Sequence, residues 1–101
     1  MIRTVDLVVA GAGSGGLAAA AAALRGGSRI LVLLRCGDAR VGRCVRRRLC
    51  KDAGVNDAQV TVMTNAEVVC VDGIGRVEAV VIRHTRTGRV CAVNASSFLS
   101  C

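Results

Sequence analysis

The first third of the chain alternates between short apolar runs and glycine-rich breaks. Residues 4–10 are mostly apolar and end at a glycine, residues 17–25 are almost all Ala and Leu, and residues 30–34 are apolar again. A short apolar run bounded by glycine is typical of a buried parallel strand, and Ala and Leu are strong helix formers. The pattern predicts strand, glycine turn, helix and strand over about 30 residues, the length of a βαβ unit.

A second predicted helix follows, and after it the helical spacing of apolar residues gives way to short strand-like runs. From Ala39 to Ala53 apolar residues recur at helical spacing, arginines take the opposite face, and Gly54 supplies a stop. Beyond it, short β-rich runs predict strands at residues 60–63, 66–71, 77–83, 90–93 and 98–101. Turn signals separate them at Thr64 and Asn65, at Asp72 and Gly73, at Gly75, and at Thr87 and Gly88. Strands this short and evenly spaced predict an antiparallel meander.

Length and composition favour one domain over residues 1–101 with a thin aliphatic core. The chain has 101 residues, 52% of them hydrophobic, but Phe98 is its one aromatic residue. A chain of this length has room for a single core. We therefore expect a marginal domain or a piece of a larger one.

The apolar stretch at residues 7–24 resembles a signal peptide or membrane span in its hydrophobicity, but three features argue against both. It is interrupted by glycines, it follows Asp6, and it lacks both a basic n-region and about 20 uninterrupted apolar residues. We expect a soluble, cytoplasmic chain without a membrane partner.

Cysteine and histidine content argues against disulfides and metal. None of the six cysteines forms a C-x-x-C pair, and most fall on predicted apolar faces. Buried thiols are therefore predicted rather than a disulfide framework. With His84 as the single histidine and no close cysteine pair, no metal site is expected.

The net charge of +7 is concentrated, because six of the fourteen basic residues lie between Arg40 and Lys51. Such a face could contact nucleic acid, but no aromatic residues accompany it for base stacking. We interpret it as a solvated helix surface, with a basic nucleic-acid-binding domain as the less favoured alternative. The arginines concerned are Arg43, Arg46, Arg47 and Arg48.

The strongest chemical signal is G-A-G-S-G-G at residues 11–16, which fits G-x-G-x-x-G between a predicted strand and helix. Gly11 permits the tight turn, Gly13 lets the backbone approach a pyrophosphate, and Gly16 allows close helix packing. Unpaired N–H groups and the dipole at the helix start favour phosphate. The motif predicts binding of the ADP half of a dinucleotide by Gly11, Ala12, Gly13, Ser14, Gly15 and Gly16.

The end of the second strand departs from that fingerprint. The acidic residue that would bind the ribose falls at Leu34 and is absent, although Asp38 is a candidate replacement. Arg35 follows directly and Arg40 lies nearby, an arrangement that could meet a 2′-phosphate and favour NADP. A solvated strand end is the alternative interpretation of Arg35.

Residues 5–20 resemble the amino-terminal FAD-binding segment of glutathione-reductase-type flavoproteins. Residues 65–69, 75–81, 85–88 and 98–101 are similar to the meander and returning strand of FAD-dependent oxidoreductases. The resemblance implies an α/β, Rossmann-like FAD/NAD(P)-binding domain, in which a βαβ unit with a parallel sheet precedes an antiparallel β-meander. It implies FAD as cofactor. Those flavoproteins have a substrate domain between the two parts and a further glycine motif after the meander, so we expect an incomplete oxidoreductase.

The compact spacing also resembles the NADPH-binding domain of thioredoxin reductases, whose second strand is followed by H-R-R-x-x-x-R. Arg35 and Arg40 match two of these arginines, while Leu34 and Cys36 depart from the pattern. Gly16 stands where that domain commonly has Ala, and the motif begins almost at Met1, so FAD is favoured and NADP is the alternative. We expect weak binding without turnover, with the rest of a flavoenzyme or a second copy as partner.

Overall fold

The computed structural model describes residues 3–100, without the side chains of Arg3 and Asp57. The predicted strand end at Cys101 lies outside this range. In chain order the elements are β1 (Arg3–Ala10), α1 (Ser14–Arg25), β2 (Ile30–Leu33), α2 (Ala39–Ala53), a single 3-10 turn (Asp57–Gln59), β3 (Val60–Met63), β4 (Ala66–Asp72), β5 (Ala79–His84) and β6 (Val90–Ser100).

The described strands form one sheet in the order β3-β2-β1-β6-β5-β4. Strands β3, β2, β1 and β6 are parallel, whereas β5 is antiparallel to both β6 and β4. The predicted Rossmann-like α/β fold, a parallel βαβ unit followed by an antiparallel meander, is confirmed. Strand order reverses at β1, because β2 and β3 lie on one side of it and β6 on the other. In open α/β sheets, ligands bind beyond the carboxyl ends of the strands at such a switch point.

Two clusters of buried side chains lie on opposite faces of the parallel strands. On the helix face, Val9 and Val32 pack with Leu24 of α1 and Leu49 of α2. On the opposite face, strand residues such as Val8 and Leu31 pack beneath the meander, which contributes Val80, Ile82 and Val93. Since successive strand residues point to opposite faces, one short strand such as β2 serves both clusters and is buried throughout.

Helix α1 begins three residues before the predicted start at Leu17. Gly13 takes the N-cap conformation (φ −66°, ψ 157°), and its carbonyl accepts the Leu17 N–H at 3.0 Å. Ala20 has no exposed surface. The small side chain there lets the helix lie close to the sheet.

The predicted bounds of α2 are correct, because its two end signals are local. The Asp38 carboxylate accepts the Val41 N–H at 3.1 Å, and Gly54 ends the helix in the left-handed region (φ 69°). The arginine face is solvent-exposed except at Arg46, which is half-buried and donates from Nε to the Val60 carbonyl at 3.2 Å.

The strands predicted at residues 90–93 and 98–101 are wrong as separate elements, because β6 runs unbroken from Val90 to Ser100. Its first residues pair with β5, and residues 93–100 pair with β1. Small polar residues such as Asn94 and Ser97 suggest a break by composition, but both continue the strand: Asn94 pairs with β1 and β5, and Ser97 pairs with β1. Strand β6 thereby joins the meander to the parallel sheet.

The prediction of buried cysteines is also wrong for most of the described thiols. Cys50 is buried, but Cys36, Cys44, Cys70 and Cys91 are exposed and unbridged. Cys70 is exposed on β4, which lies at the edge of the sheet. Local desolvation and the neighbouring Asp72 carboxylate raise the pKa of the Cys70 thiol, which disfavours the reactive thiolate.

Candidate functional site

A cleft of about 240 Å³ opens at the carboxyl ends of β1, β2 and β6, at the point where strand order reverses. Strand β4 begins at its edge. The residues that line the cleft are Ala10, Gly11, Leu33, Arg35, Ala66, Glu67, Val68, Phe98 and Ser100. The cleft thus combines the start of the glycine motif with side chains from the meander.

Gly11 makes the turn out of β1. Its φ of 104° lies in a region that side-chain-bearing residues rarely adopt, and its N–H donates to the Leu33 carbonyl at 2.8 Å. This hydrogen bond ties the turn to β2. The backbone therefore requires glycine at the first position of the motif.

The N-terminus of α1 offers backbone donors. Gly13 has no side chain with which to cap the helix, and the first turn contains no acidic residue. The N–H groups of Ser14, Gly15 and Gly16 consequently have no acceptor within the helix. Ala12, Gly13, Ser14 and Gly15 are exposed, whereas Gly16 is buried. The exposed members can contact a ligand, and Gly16 serves packing.

Of the residues beyond β2 that were predicted to contact the cofactor, only some lie at the cleft. Leu34 is 7% exposed and packs in the helix-face cluster, so its side chain does not line the cleft. Arg35 does line it, with a side chain that is 84% exposed. Arg40 is exposed on the first turn of α2 and is not among the cleft residues. The carboxylate of Asp38 is engaged as the α2 cap.

Sequence reasoning missed Glu67, the one carboxylate among the cleft residues. Its side chain is 23% exposed. Oε1 forms an ion pair with Nη2 of Arg83, the residue opposite it on β5, and Oε2 lies 3.9 Å from Nη2 of Arg35. Opposite charges on neighbouring predicted strands were the available signal, but the strand register that joins them is not readable from composition.

The single histidine lies outside the cleft, and the described residues form neither a metal site nor a membrane-spanning helix. His84 ends β5, where its Nδ1 lies 3.3 Å from the Thr87 hydroxyl. Among residues 3–100, no group of three His, Cys, Asp or Glu residues is placed to hold a metal ion. Within the same range, every helix is too short or too polar to span a membrane.

No protein-family model and no curated protein sequence matches this chain. Solved structures do match it. The thioredoxin reductase of Streptococcus pyogenes shares 22% sequence identity at a TM-score of 0.70, with 98% of this chain and 31% of that chain covered. A geranylgeranyl bacteriochlorophyll reductase-like protein of Thermoplasma acidophilum shares 16% at a TM-score of 0.70, with 100% and 40% covered.

A third similar structure is the myxobacterial chondrochloren halogenase, described as a variant of FAD-dependent halogenases. It shares 17% identity at a TM-score of 0.71, with 98% of this chain and 37% of that chain covered. The chain therefore spans between about a third and two fifths of these proteins. At these identities the likeness establishes the fold, a Rossmann-like α/β domain found in oxidoreductases and halogenases.

Proposed function

We propose that this chain binds the ADP moiety of a dinucleotide, with FAD as the preferred cofactor, as part of an FAD-dependent oxidoreductase. The observation that carries the proposal is the position of the glycine turn. It joins β1 to the uncapped N-terminus of α1 at the switch point of the sheet, beside the cleft. This is where open α/β sheets bind nucleotides.

The pyrophosphate suits the start of α1. The N–H groups of Ser14 and Gly15 are free of helical acceptors, and the positive end of the helix dipole is not offset by an acidic side chain. Gly13 is exposed and lacks a Cβ, so a phosphate can approach its backbone closely. These groups fit a phosphate without any charged side chain.

The cleft suits the adenosine half. Its volume of about 240 Å³ lies below the ~300–1,000 Å³ of pockets that enclose a whole ligand. Val68 and Phe98, both half-buried, supply apolar surface for a base, while Arg35 and Glu67 supply polar groups. The isoalloxazine ring would therefore extend beyond the cleft.

When bound, FAD would supply the electron transfer of an oxidoreductase, and the protein would bind and orient it. The cleft itself offers Arg35 and Glu67 as its ionisable side chains. Neither is paired with a histidine, a cysteine or a second carboxylate in the cleft. We therefore expect dinucleotide binding without turnover by this chain alone.

The test compares two glycines of the same motif by titration with FAD, NADH and NADPH. Gly13→Val places a branched side chain where the pyrophosphate must approach, and we expect it to abolish binding. Gly15→Ala is the comparison within the motif, because it keeps the backbone N–H and its Cβ meets no protein atom within 4 Å, so we expect a smaller loss of affinity than in Gly13→Val. Unchanged affinity for all three dinucleotides in Gly13→Val would contradict the proposed site.

NADPH is the second candidate, and the exposed Arg35 at the cleft is the observation that favours it. If this second candidate is correct, a guanidinium contact with a 2′-phosphate, worth ~1.5–3 kcal/mol, makes NADPH bind about tenfold or more tightly than NADH. Arg35→Gln should remove that preference. Equal affinity for NADPH and NADH in the unaltered chain, with tighter binding of FAD, would support the flavoprotein proposal instead.

The expected lack of turnover has its own measurement. The purified chain is mixed with FAD and NADH or NADPH, and flavin reduction and oxygen consumption are compared with free flavin. We expect rates equal to the free-flavin background. Turnover that depends on the protein would show that this chain is an enzyme and that the expectation of an incomplete oxidoreductase is wrong.

A further inference from the structure

We infer that Glu67 supplies the carboxylate that binds the ribose hydroxyls of the adenosine half, the role left vacant by Leu34 at the end of β2. The inference rests on the proposed function. Glu67 lies in β4, outside both the glycine motif and the end of β2. Its basis is the placement of β4, the pairing of the Glu67 side chain and the charge of the cleft.

Placement comes from the backbone. The Ala66 N–H donates to the Leu34 carbonyl at 3.0 Å, so β4 starts directly beside the end of β2. Glu67 is the next residue, and it lines the cleft together with Gly11 and Leu33. A carboxylate from β4 is thus delivered to the edge where a ribose-binding acid at the end of β2 would otherwise stand.

The pairing of Glu67 leaves one oxygen available. Oε1 is held by Arg83, which lies opposite Glu67 on β5. The 3.9 Å from Oε2 to Nη2 of Arg35 exceeds hydrogen-bond length. An ionised carboxylate has acceptor sites on both oxygens. Arg83 therefore occupies Oε1, while Oε2 can accept hydrogen bonds from a vicinal diol.

The same geometry sets a preference between cofactors. A carboxylate accepts a hydrogen bond from a ribose 2′-hydroxyl but repels a 2′-phosphate. Arg35, the one cation among the cleft residues, is 84% exposed, so solvent screens its attraction for a phosphate. Glu67 therefore favours FAD, NADH or ADP over NADPH.

The experiment measures calorimetric affinities for ADP, 2′-deoxy-ADP and NADPH in the full chain and two variants. Glu67→Gln removes the carboxylate charge at nearly constant size. Arg83→Gln breaks the same ion pair from the other side while the carboxylate stays in the cleft. Circular dichroism and thermal unfolding show whether each variant keeps the fold.

We expect the unaltered chain to bind ADP about tenfold more tightly than 2′-deoxy-ADP, equivalent to ~1.4 kcal/mol. Glu67→Gln should lose that ratio, and Arg83→Gln should largely keep it. If Arg83→Gln loses the ratio as completely as Glu67→Gln while both stay folded, the ion pair and not the carboxylate is responsible, and the inference is wrong.

Two further outcomes separate this inference from the proposed function. ADP binding that Gly13→Val abolishes but Glu67→Gln leaves unchanged would overturn the role of Glu67 and keep the glycine site. No ADP binding by the unaltered chain would overturn both. Tighter NADPH binding by Glu67→Gln supports the inference, because it removes the repulsion of the 2′-phosphate.

Discussion

Helices cover one face of the parallel sheet and the meander covers the other, and each cover buries strand side chains fully. Val9 and Val32 have no exposed surface beneath the helices, and Val8 and Leu31 have none beneath the meander. The two covers differ at the carboxyl edge of the sheet. The helix side presents backbone N–H groups from the glycine turn, whereas the meander side presents the side chains of Glu67 and Phe98.

This difference assigns separate tasks within the proposed function. Phosphate oxygens are satisfied by backbone donors and a helix dipole, which any sequence with small residues can provide. Ribose and base carry hydroxyls, ring nitrogens and apolar faces that side chains must distinguish. The helix side would therefore hold the pyrophosphate, while the meander side would decide which dinucleotide fits.

The largest expected effects come from removing core volume under each cover. Leu24→Ala opens the helix face and Ile82→Ala opens the meander face, and both side chains are at most 1% exposed. Each should cost ~2–5 kcal/mol of unfolding free energy. Denaturant titration followed by circular dichroism measures both. A loss below ~1 kcal/mol for Ile82→Ala alone would show that the meander is loosely attached.

A smaller effect tests the connection between β4 and β5. Gly73 has φ +154°, and a Cβ there would overlap the backbone carbonyl of Arg76, whereas Gly75 has φ +74° and open space around its Cβ position. Gly73→Ala should cost more than the ~1–2 kcal/mol expected for Gly75→Ala from backbone strain alone. Unfolding midpoints compare the pair. Equal losses would mean that the loop relaxes to admit the methyl group.

The helix side and the meander side of the sheet also differ in how much of their structure the sequence predicts. The bounds of α2 follow from Asp38 and Gly54, which act within one turn of the helix ends. Strand β6 and Glu67 depend on pairing between distant segments, such as the hydrogen bond from Ala66 to Leu34. Local signals therefore predict the helix side and the glycine turn, but they do not predict that Glu67 of the meander lines the cleft.

Cysteine burial shows the same limit. A period-two pattern indicates that a strand has two faces, but not which of them another layer covers. Cys70 and Cys91 fit an apolar pattern yet lie exposed on the meander strands. Only the arrangement of layers, which is a tertiary property, decides their exposure.

A smaller effect again is expected from removing the Asp38 N-cap of α2, on the helix side of the sheet. Asp38→Ala deletes the acceptor of the Val41 N–H and should cost ~1 kcal/mol. Asp52→Ala is the control on the same helix. It removes only an exposed ion pair with Arg48 at 4.0 Å, worth ~0.5 kcal/mol or less. Similar losses in thermal unfolding would contradict the capping role of Asp38.

The smallest expected effect has the opposite sign and comes from the contact of α2 with β3. Gly42 lies inside α2, where a Cβ would meet Thr64 Cγ2 at 3.5 Å and Val62 Cγ1 at 3.7 Å, both ordinary contact distances. Gly42→Ala should therefore stabilise the chain by ~0.5–1 kcal/mol, because alanine loses less backbone entropy in a helix. Gly54→Ala is the contrast, since its φ of +69° makes alanine unfavourable. Denaturation midpoints should move in opposite directions for the two variants, and destabilisation by Gly42→Ala would show that α2 packs against β3 too tightly to accept a methyl group.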